Sequence, residues 1–238
     1  AREKSQTGIY HLICRGINRT EIFREPEDKQ RFLETLWYCR YKGGYEVYAY
    51  CLMSNHVHLL LREKSEPVGV SVKRISASYV LWYNQKYNRC GHLFQDRFKS
   101  EAIEDDMYFL TVLRYIHQNP VKACITNTAD EYKWSSYDDY IGKGGGLTAI
   151  EFPLSLFSEN RVEAIILFEN YVRKRNEDHC LEYSDSKHVD DQELYRWLYK
   201  LGIHTRAGLK QLNRQQRNEL LGVLREKTGV TVRQLARV

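Results

Sequence analysis

Two short stretches of this 238-residue sequence carry the residue types that chemistry needs. His56-Val57-His58 opens a β-rich run, and the two-residue period of a strand sets both imidazoles on one face while Val57, Leu59 and Leu61 take the other. Imidazoles presented side by side at i and i+2 supply two-thirds of a divalent-metal site, although such pairs also occur as plain surface or hydrogen-bonded histidines. In Tyr115-Ile116-His117-Gln118-Asn119-Pro120 the helical i, i+4 spacing puts a hydroxyl and an amide oxygen on one face. Phe109, Leu113 and Ile116 are left for the buried face. With 18 tyrosines in the chain, a helical tyrosine is ordinarily packing, and Asn119 before Pro120 reads equally as a helix C-cap.

These residues need elements to position them. Ile9 to Arg15 is strand-like, and Asp28 to Lys42 carries Phe32, Leu33, Leu36 and Trp37 at helical spacing before Gly43-Gly44. Glu46 to Met53 and Val57 to Arg62 read as a hairpin about Ser54-Asn55. Val68, Val72, Ile75, Tyr79 and Trp82 mark a second helix, with Pro67 suited to its first turn. Leu93 to Ile103 supplies a further strand, and Asp105 or Asp106 caps a helix from Met107 to Gln118, ended by Asn119-Pro120. The order β-α-β-β-α-β-α predicts an α+β fold. It is a ferredoxin-like split βαβ unit, an antiparallel sheet with helices on one face and the other face free to bind.

Gly144-Gly145-Gly146 is the strongest punctuation, so residues 1–142 and 147–238 are expected to form two domains joined by a linker at 143–146. Asn160 to Asn176, Asp190 to Lys200, Thr205 to Leu212 and Arg214 to Lys227 read as helices of a small second module. Thr231 to Val238 resembles the first helix of a helix-turn-helix, without the recognition helix.

Four blocks in order carry a family resemblance: Ser54-Asn55-His56-Val57-His58-Leu59-Leu60-Leu61, Gly91-His92-Leu93-Phe94-Gln95-Asp96-Arg97-Phe98, Leu113 to Ala123, and Trp134-Ser135-Ser136-Tyr137. Over residues 7–142 the chain resembles the REP-associated tyrosine transposases, relatives of the single-strand insertion-sequence transposases in the His-hydrophobic-His endonuclease superfamily. The resemblance implies a divalent metal, Mg²⁺ or Mn²⁺, held by His56, His58 and Asn119, with Tyr115 as nucleophile. It implies cleavage and rejoining of hairpin-bearing single-stranded DNA through a 5′-phosphotyrosine. Ligand chemistry alone leaves Zn²⁺ open as well. His117, Lys122 or water are the candidates for helping the tyrosine lose its proton. The REP-associated branch implies a monomer, whereas related insertion-sequence enzymes exchange the tyrosine helix in dimers.

Charge agrees with a polyanionic partner. The chain is +5 overall, but Thr205 to Val238 holds eight basic and two acidic residues, so the excess is concentrated there. Arg206, Lys210, Arg214 and Arg217 in this stretch, with Arg15, Arg19, Arg24, Arg62, Arg97 and Lys99 in the first half, are the candidate DNA contacts. Tyr38, Tyr41, Tyr45, Tyr48, Tyr50, Tyr79, Trp82, Tyr83 and Tyr87 are candidates for stacking on unpaired bases. A silent hairpin-DNA-binding regulator is the alternative, and an RNA-binding sheet using Tyr48 and Tyr50 a more distant one. No apolar run approaches the roughly 20 residues of a membrane helix, the first residues lack the apolar core of a secretion signal, and six cysteines without a CxxC pair read as reduced thiols. Together these point to a cytoplasmic, nucleoid-associated protein.

Overall fold

The computed structural model describes residues 4–95, 97–182 and 191–200, with positions 203, 213, 215, 218–220 and 222. The chain forms two compact units, 1–183 and 184–238. In the first, strands β1 (Ile9–Arg15), β2 (Glu46–Leu52), β3 (His56–Arg62) and β4 (Lys99–Ile103) form an antiparallel sheet in the order β2-β3-β1-β4. Helices α1 (Pro26–Gly43) and α2 (Val68–Lys86) connect its strands, which is the split βαβ arrangement expected from the sequence.

Local chemistry sets these boundaries. Asp28 takes the backbone N–H groups of Arg24 and Glu25 at 2.7 and 2.9 Å, Pro26 starts α1, and Gly44 ends it in the left-handed conformation at φ 58°. The same Asp28 carboxylate, fully buried, also receives Lys86 Nζ and the Tyr87 hydroxyl, both at 2.8 Å, so the cap of α1 is fastened to the end of α2. Met53 N–H closes the β2–β3 turn on the His56 carbonyl at 2.9 Å.

Alternation splits the strands between two cores. Tyr10, Leu12, Cys14, Val57, Leu59 and Leu61 pack with α1 and α2. Ile9, Ala49, Cys51, Leu60 and Ile103 pack on the other side with α3 (Asp106–Lys122). The second face is therefore not left free: the extra helix lies across it, because Phe109, Val112, Leu113 and Ile116 form an apolar stripe that must be buried. A bulge in β2 between Val47 and Ala49 turns Tyr48 onto this face beside Phe109 and Phe152. Tyr48 and Tyr50 are both buried, so the strand aromatics on which the RNA-binding alternative rested are core.

Three expectations change in detail. Residues 93–95, 97 and 98 lie outside β4, which starts only at Lys99, and this stretch is held to the end of β1 by Ile17 N–H on the Leu93 carbonyl (2.9 Å) and Gln95 N–H on the Arg15 carbonyl (2.7 Å). α3 runs through Asn119-Pro120 to Lys122, with Pro120 in its last turn, where the lost N–H bond and the ring's crowding of the carbonyl four residues back disturb only the end of the helix. The glycine run is not a domain boundary. Asp139 ties Gly146 N–H and Thr148 N–H at 3.0 and 3.2 Å, Leu147 joins the α1–α2 core, and a Cβ on Gly144 would strike Asp139. Gly144 thus allows close approach within the first unit, and Gly146 takes a left-handed φ of 74°.

Short helices α4 (Tyr137–Tyr140) and α5 (Glu151–Ser155) lead to α6 (Arg161–Arg173), whose Phe168 stacks on Tyr140 at 4.4 Å and meets His117 edge-on at 5.5 Å. In the second unit α7 (Asp191–Lys200) buries Leu194 and Leu198 and exposes Tyr195, Trp197 and Tyr199. The two helices expected from 205 to 227 and the helix-turn-helix-like piece at 231–238 fall outside the described residues, a few isolated positions excepted. Three cysteines, Cys14, Cys39 and Cys51, are buried, and all six are free. Among the described residues no helix is long and apolar enough to cross a membrane.

Candidate active site

The sheet register builds one half of the site. Across β1 and β3, Arg15 lies opposite His56 and Ile13 opposite His58, so the two imidazoles and the arginine share the α3 face near one end of the sheet. α3 supplies the other half: its i, i+4 spacing brings Tyr115 and Asn119 over the same end. Ile13, Arg15, Asn55, His56, His58, Tyr115, Asn119 and Glu182 together line a pocket of about 280 Å³. The tyrosine ring stands edge-on to His58, with centroids 5.7 Å apart, and the two histidine rings are 5.0 Å apart.

Hydrogen bonds decide which atoms remain available in the pocket. His56 Nδ1 is 2.6 Å from Asn55 Oδ1, and an amide oxygen only accepts, so Nδ1 carries the proton and Nε2 keeps its lone pair. His58 Nδ1 is engaged by His11 Nε2 at 3.0 Å, which again leaves Nε2. Asn119 donates Nδ2 to the Tyr115 carbonyl at 2.9 Å and so keeps Oδ1. Burial, with the nearby Arg15 charge, lowers the His56 pKa to about 4, and burial puts His58 well below its ordinary value. Both rings are therefore neutral, the form that binds cations. Among the described residues no three His, Cys, Asp or Glu side chains gather as a metal cluster, so a three-ligand set here needs the Asn119 amide oxygen.

Glu182 is the residue that sequence reasoning missed. After α6 the chain runs back along α3: Gln118 Nε2 donates to the Val172 carbonyl, Arg114 grips Asp178 with Nε and Nη2 at 2.8 Å each, and Lys122 Nζ reaches the Asp178 carbonyl at 3.2 Å. This strap delivers Glu182 Oε1 to 2.7 Å from the Tyr115 hydroxyl. Burial first, then the Glu182 hydrogen bond and charge, push the Tyr115 pKa well above its ordinary value. No local motif marks a glutamate 67 residues from the tyrosine it touches, so only the chain's path revealed it.

The other predicted residues separate. Lys122 stays close, with Nζ 4.7 Å from the Tyr115 ring. His117 turns into the core, where it meets Ser136 Oγ at 2.8 Å, and is no partner of Tyr115. Arg15 lines the pocket, whereas Arg62 stands at the far end of β3, six residues from His56 or roughly 20 Å along the strand. Arg19 follows β1 with φ 60°, and Lys99 opens β4. Arg97 lines a separate apolar cavity of about 530 Å³ between α2 and His92, Leu93, Phe94 and Phe98, and Arg24 lies 4.7 Å over the Tyr87 ring. Of the stacking candidates, Tyr45, Tyr48, Tyr50, Tyr79 and Tyr83 are buried, while Tyr38 and Tyr41 are exposed on α1. Arg206, Lys210, Arg214 and Arg217 lie outside the described residues.

Residues 4–119, which span the sheet, both histidines, Tyr115 and Asn119, match the model of the family described as "Transposase IS200 like". Over these residues, just under half of its length, the chain is similar to the IS200-like transposases. Its fold is shared with a solved REP-associated tyrosine transposase bound to a REP hairpin, at 15% identity over 63% of this chain and 93% of that one, with a TM-score of 0.52. A candidate transposase from Deinococcus radiodurans is also similar, at 18% identity over 50% of this chain and 95% of that one, with a TM-score of 0.37. No curated protein shows significant similarity to the chain. The IS200-like match ends at Asn119, so the strap that brings Glu182 to the tyrosine lies beyond it.

Proposed function

We propose that the IS200-like domain cleaves and rejoins hairpin-bearing single-stranded DNA of the REP type, with Tyr115 as nucleophile and a 5′-phosphotyrosine intermediate. The observation that carries this reading is the convergence of the Tyr115 hydroxyl with His56, His58 and Asn119 in one pocket. A pure binding module has no use for a nucleophile placed there. The free Nε2 atoms of both histidines and the free Oδ1 of Asn119 fit a Mg²⁺ or Mn²⁺ ion, and these three residues would hold it. Such an ion, when bound, neutralises charge on the scissile phosphate.

The protein's own groups do the rest. α3 orients the Tyr115 oxygen for attack on phosphorus; the bond from phosphorus to the 3′ oxygen breaks, and that oxygen takes a proton from solvent to leave a free 3′-hydroxyl. Glu182 Oε1 is the nearest base and takes the tyrosine proton in step with the attack, because a neutral tyrosine is a poor nucleophile. Arg15, on the pocket wall, is suited to hold a flanking phosphate. The solved REP-associated tyrosine transposase, bound to a REP hairpin, supports a hairpin substrate.

Incubation of the full chain with a pool of hairpin-bearing single strands and Mn²⁺ should trap a covalent adduct on a denaturing gel. Tyr115→Phe should abolish the adduct while retaining DNA. Retained hairpins without any wild-type adduct would favour a silent DNA-binding regulator, and cleavage by Tyr115→Phe would overturn the assignment of the nucleophile.

A further inference from the structure

The hydrogen bond to His58 Nδ1 comes from a residue outside the pocket. His11, on the central strand β1, is completely buried, does not line the pocket, and has no part in the chemistry proposed above. The register explains its reach. His11 pairs with Glu101 across β4, and it sits diagonally from His58 across β3, where the direct partners are Ile13 with His58 and His11 with Leu60. Glu101, His11 and His58 thus form a row across three strands.

That row has a direction. His11 Nδ1 is buried without a hydrogen-bond partner, and the Glu101 carboxylate lies 4.0 Å from it. A neutral imidazole carries one proton. Placing it on Nδ1 turns an N–H toward the carboxylate, whereas placing it on Nε2 would turn a lone pair toward that negative charge. Glu101 is itself fixed, accepting the Tyr108 hydroxyl at 2.7 Å and Leu181 N–H at 3.2 Å. With its proton on Nδ1, His11 has only a lone pair on Nε2, and the 3.0 Å contact then requires His58 to donate from Nδ1.

We propose that His11, backed by Glu101, is a positioning residue that locks His58 in the Nδ1–H tautomer, so that its Nε2 lone pair faces the pocket and is ready for a cation. This assignment rests on the metal site of the proposed function. A carboxylate or carbonyl behind a metal-bound histidine fixes ring and tautomer in the same manner, and losing such a partner costs about 10- to 100-fold in metal affinity. Here the partner is a second imidazole, with the carboxylate one ring further back.

Two measurements test it on the full chain. Long-range ¹H–¹⁵N correlation spectra of the metal-free protein should show His58 protonated on Nδ1 and bare on Nε2; an Nε2–H His58 would overturn the proposal whether or not metal binds. Mn²⁺ titration followed by electron paramagnetic resonance should show binding by wild type and its loss in His58→Ala. His11→Phe, which fills the space without an acceptor, should bind about 10-fold or more weakly, and His11→Gln, whose amide oxygen can still accept, should recover most of the affinity. Wild-type affinity in His11→Phe alongside loss in His58→Ala would also overturn the proposal. Wild-type affinity in His58→Ala would instead remove the metal site, leaving the tautomer to stand or fall on the spectra. If His11→Phe does not fold, the wild-type spectra still decide.

Discussion

Glu182 is where a single carboxylate has the clearest chemical consequence. Its Oε1 accepts the Tyr115 hydroxyl at 2.7 Å, so Glu182→Gln removes the proposed base but keeps the side chain's size. Adduct formation under single-turnover conditions should slow by about 100-fold, a usual share for a positioned base, with hairpin affinity unchanged. A faster reaction would mean that the carboxylate obstructs the tyrosine. A second residue-level consequence concerns pH and stability. Burial lowers the pKa of both His11 and His117 to about 3, against an ordinary value near 6.5. The unfolded chain therefore takes up these protons first. The stabilisation is complete above about pH 6.5 and is lost as pH falls toward the folded values, by about 1.4 kcal/mol per pH unit for each ring. Urea midpoints should be level above neutrality and drop below about pH 6.5, and the drop should be shallower in His117→Leu. Equal midpoints at about pH 7 and pH 5 would contradict the buried neutral state of these rings.

At the scale of elements, the site depends on a helix and a strap held together by few bonds. The Arg114–Asp178 pair is bidentate and only 13% exposed on each side, and Arg114 also lies 4.2 Å over the Tyr171 ring. Asp178→Ala leaves a largely buried guanidinium without its carboxylate, so a loss of about 2–4 kcal/mol is expected, below the full penalty of a wholly buried pair. Hydrogen exchange should accelerate in residues 174–182 and the last turns of α3 and remain unchanged in β1 and β3. Uniform acceleration across the sheet would show that the strap is not a separable element.

For the whole molecule, the basic stretch at 205–238 makes a prediction independent of the pocket. Its excess of six positive charges should contribute phosphate contacts, each steepening the fall of log K with log salt by about 0.7 to 0.9. Deleting it should flatten that slope while single-turnover cleavage at saturating DNA changes little; an identical slope would show that the tail does not touch DNA. The sequence by itself determined the split βαβ order, because alternation and helical spacing are local and each marks its own element. It likewise paired the candidate site residues, His56 with His58 by strand period and Tyr115 with Asn119 by helix period, while the metal and nucleophile roles proposed for them rest on the family resemblance. Only the tertiary structure decided that α3 covers the sheet face expected to be open, that Gly144 packs close against Asp139, that His117 faces the core, and that His11 and Glu182 stand behind and beside the site. Each of these depends on which distant surfaces meet. Strand register and the return path of the chain fix those meetings, and neither leaves a periodic mark in the residues themselves.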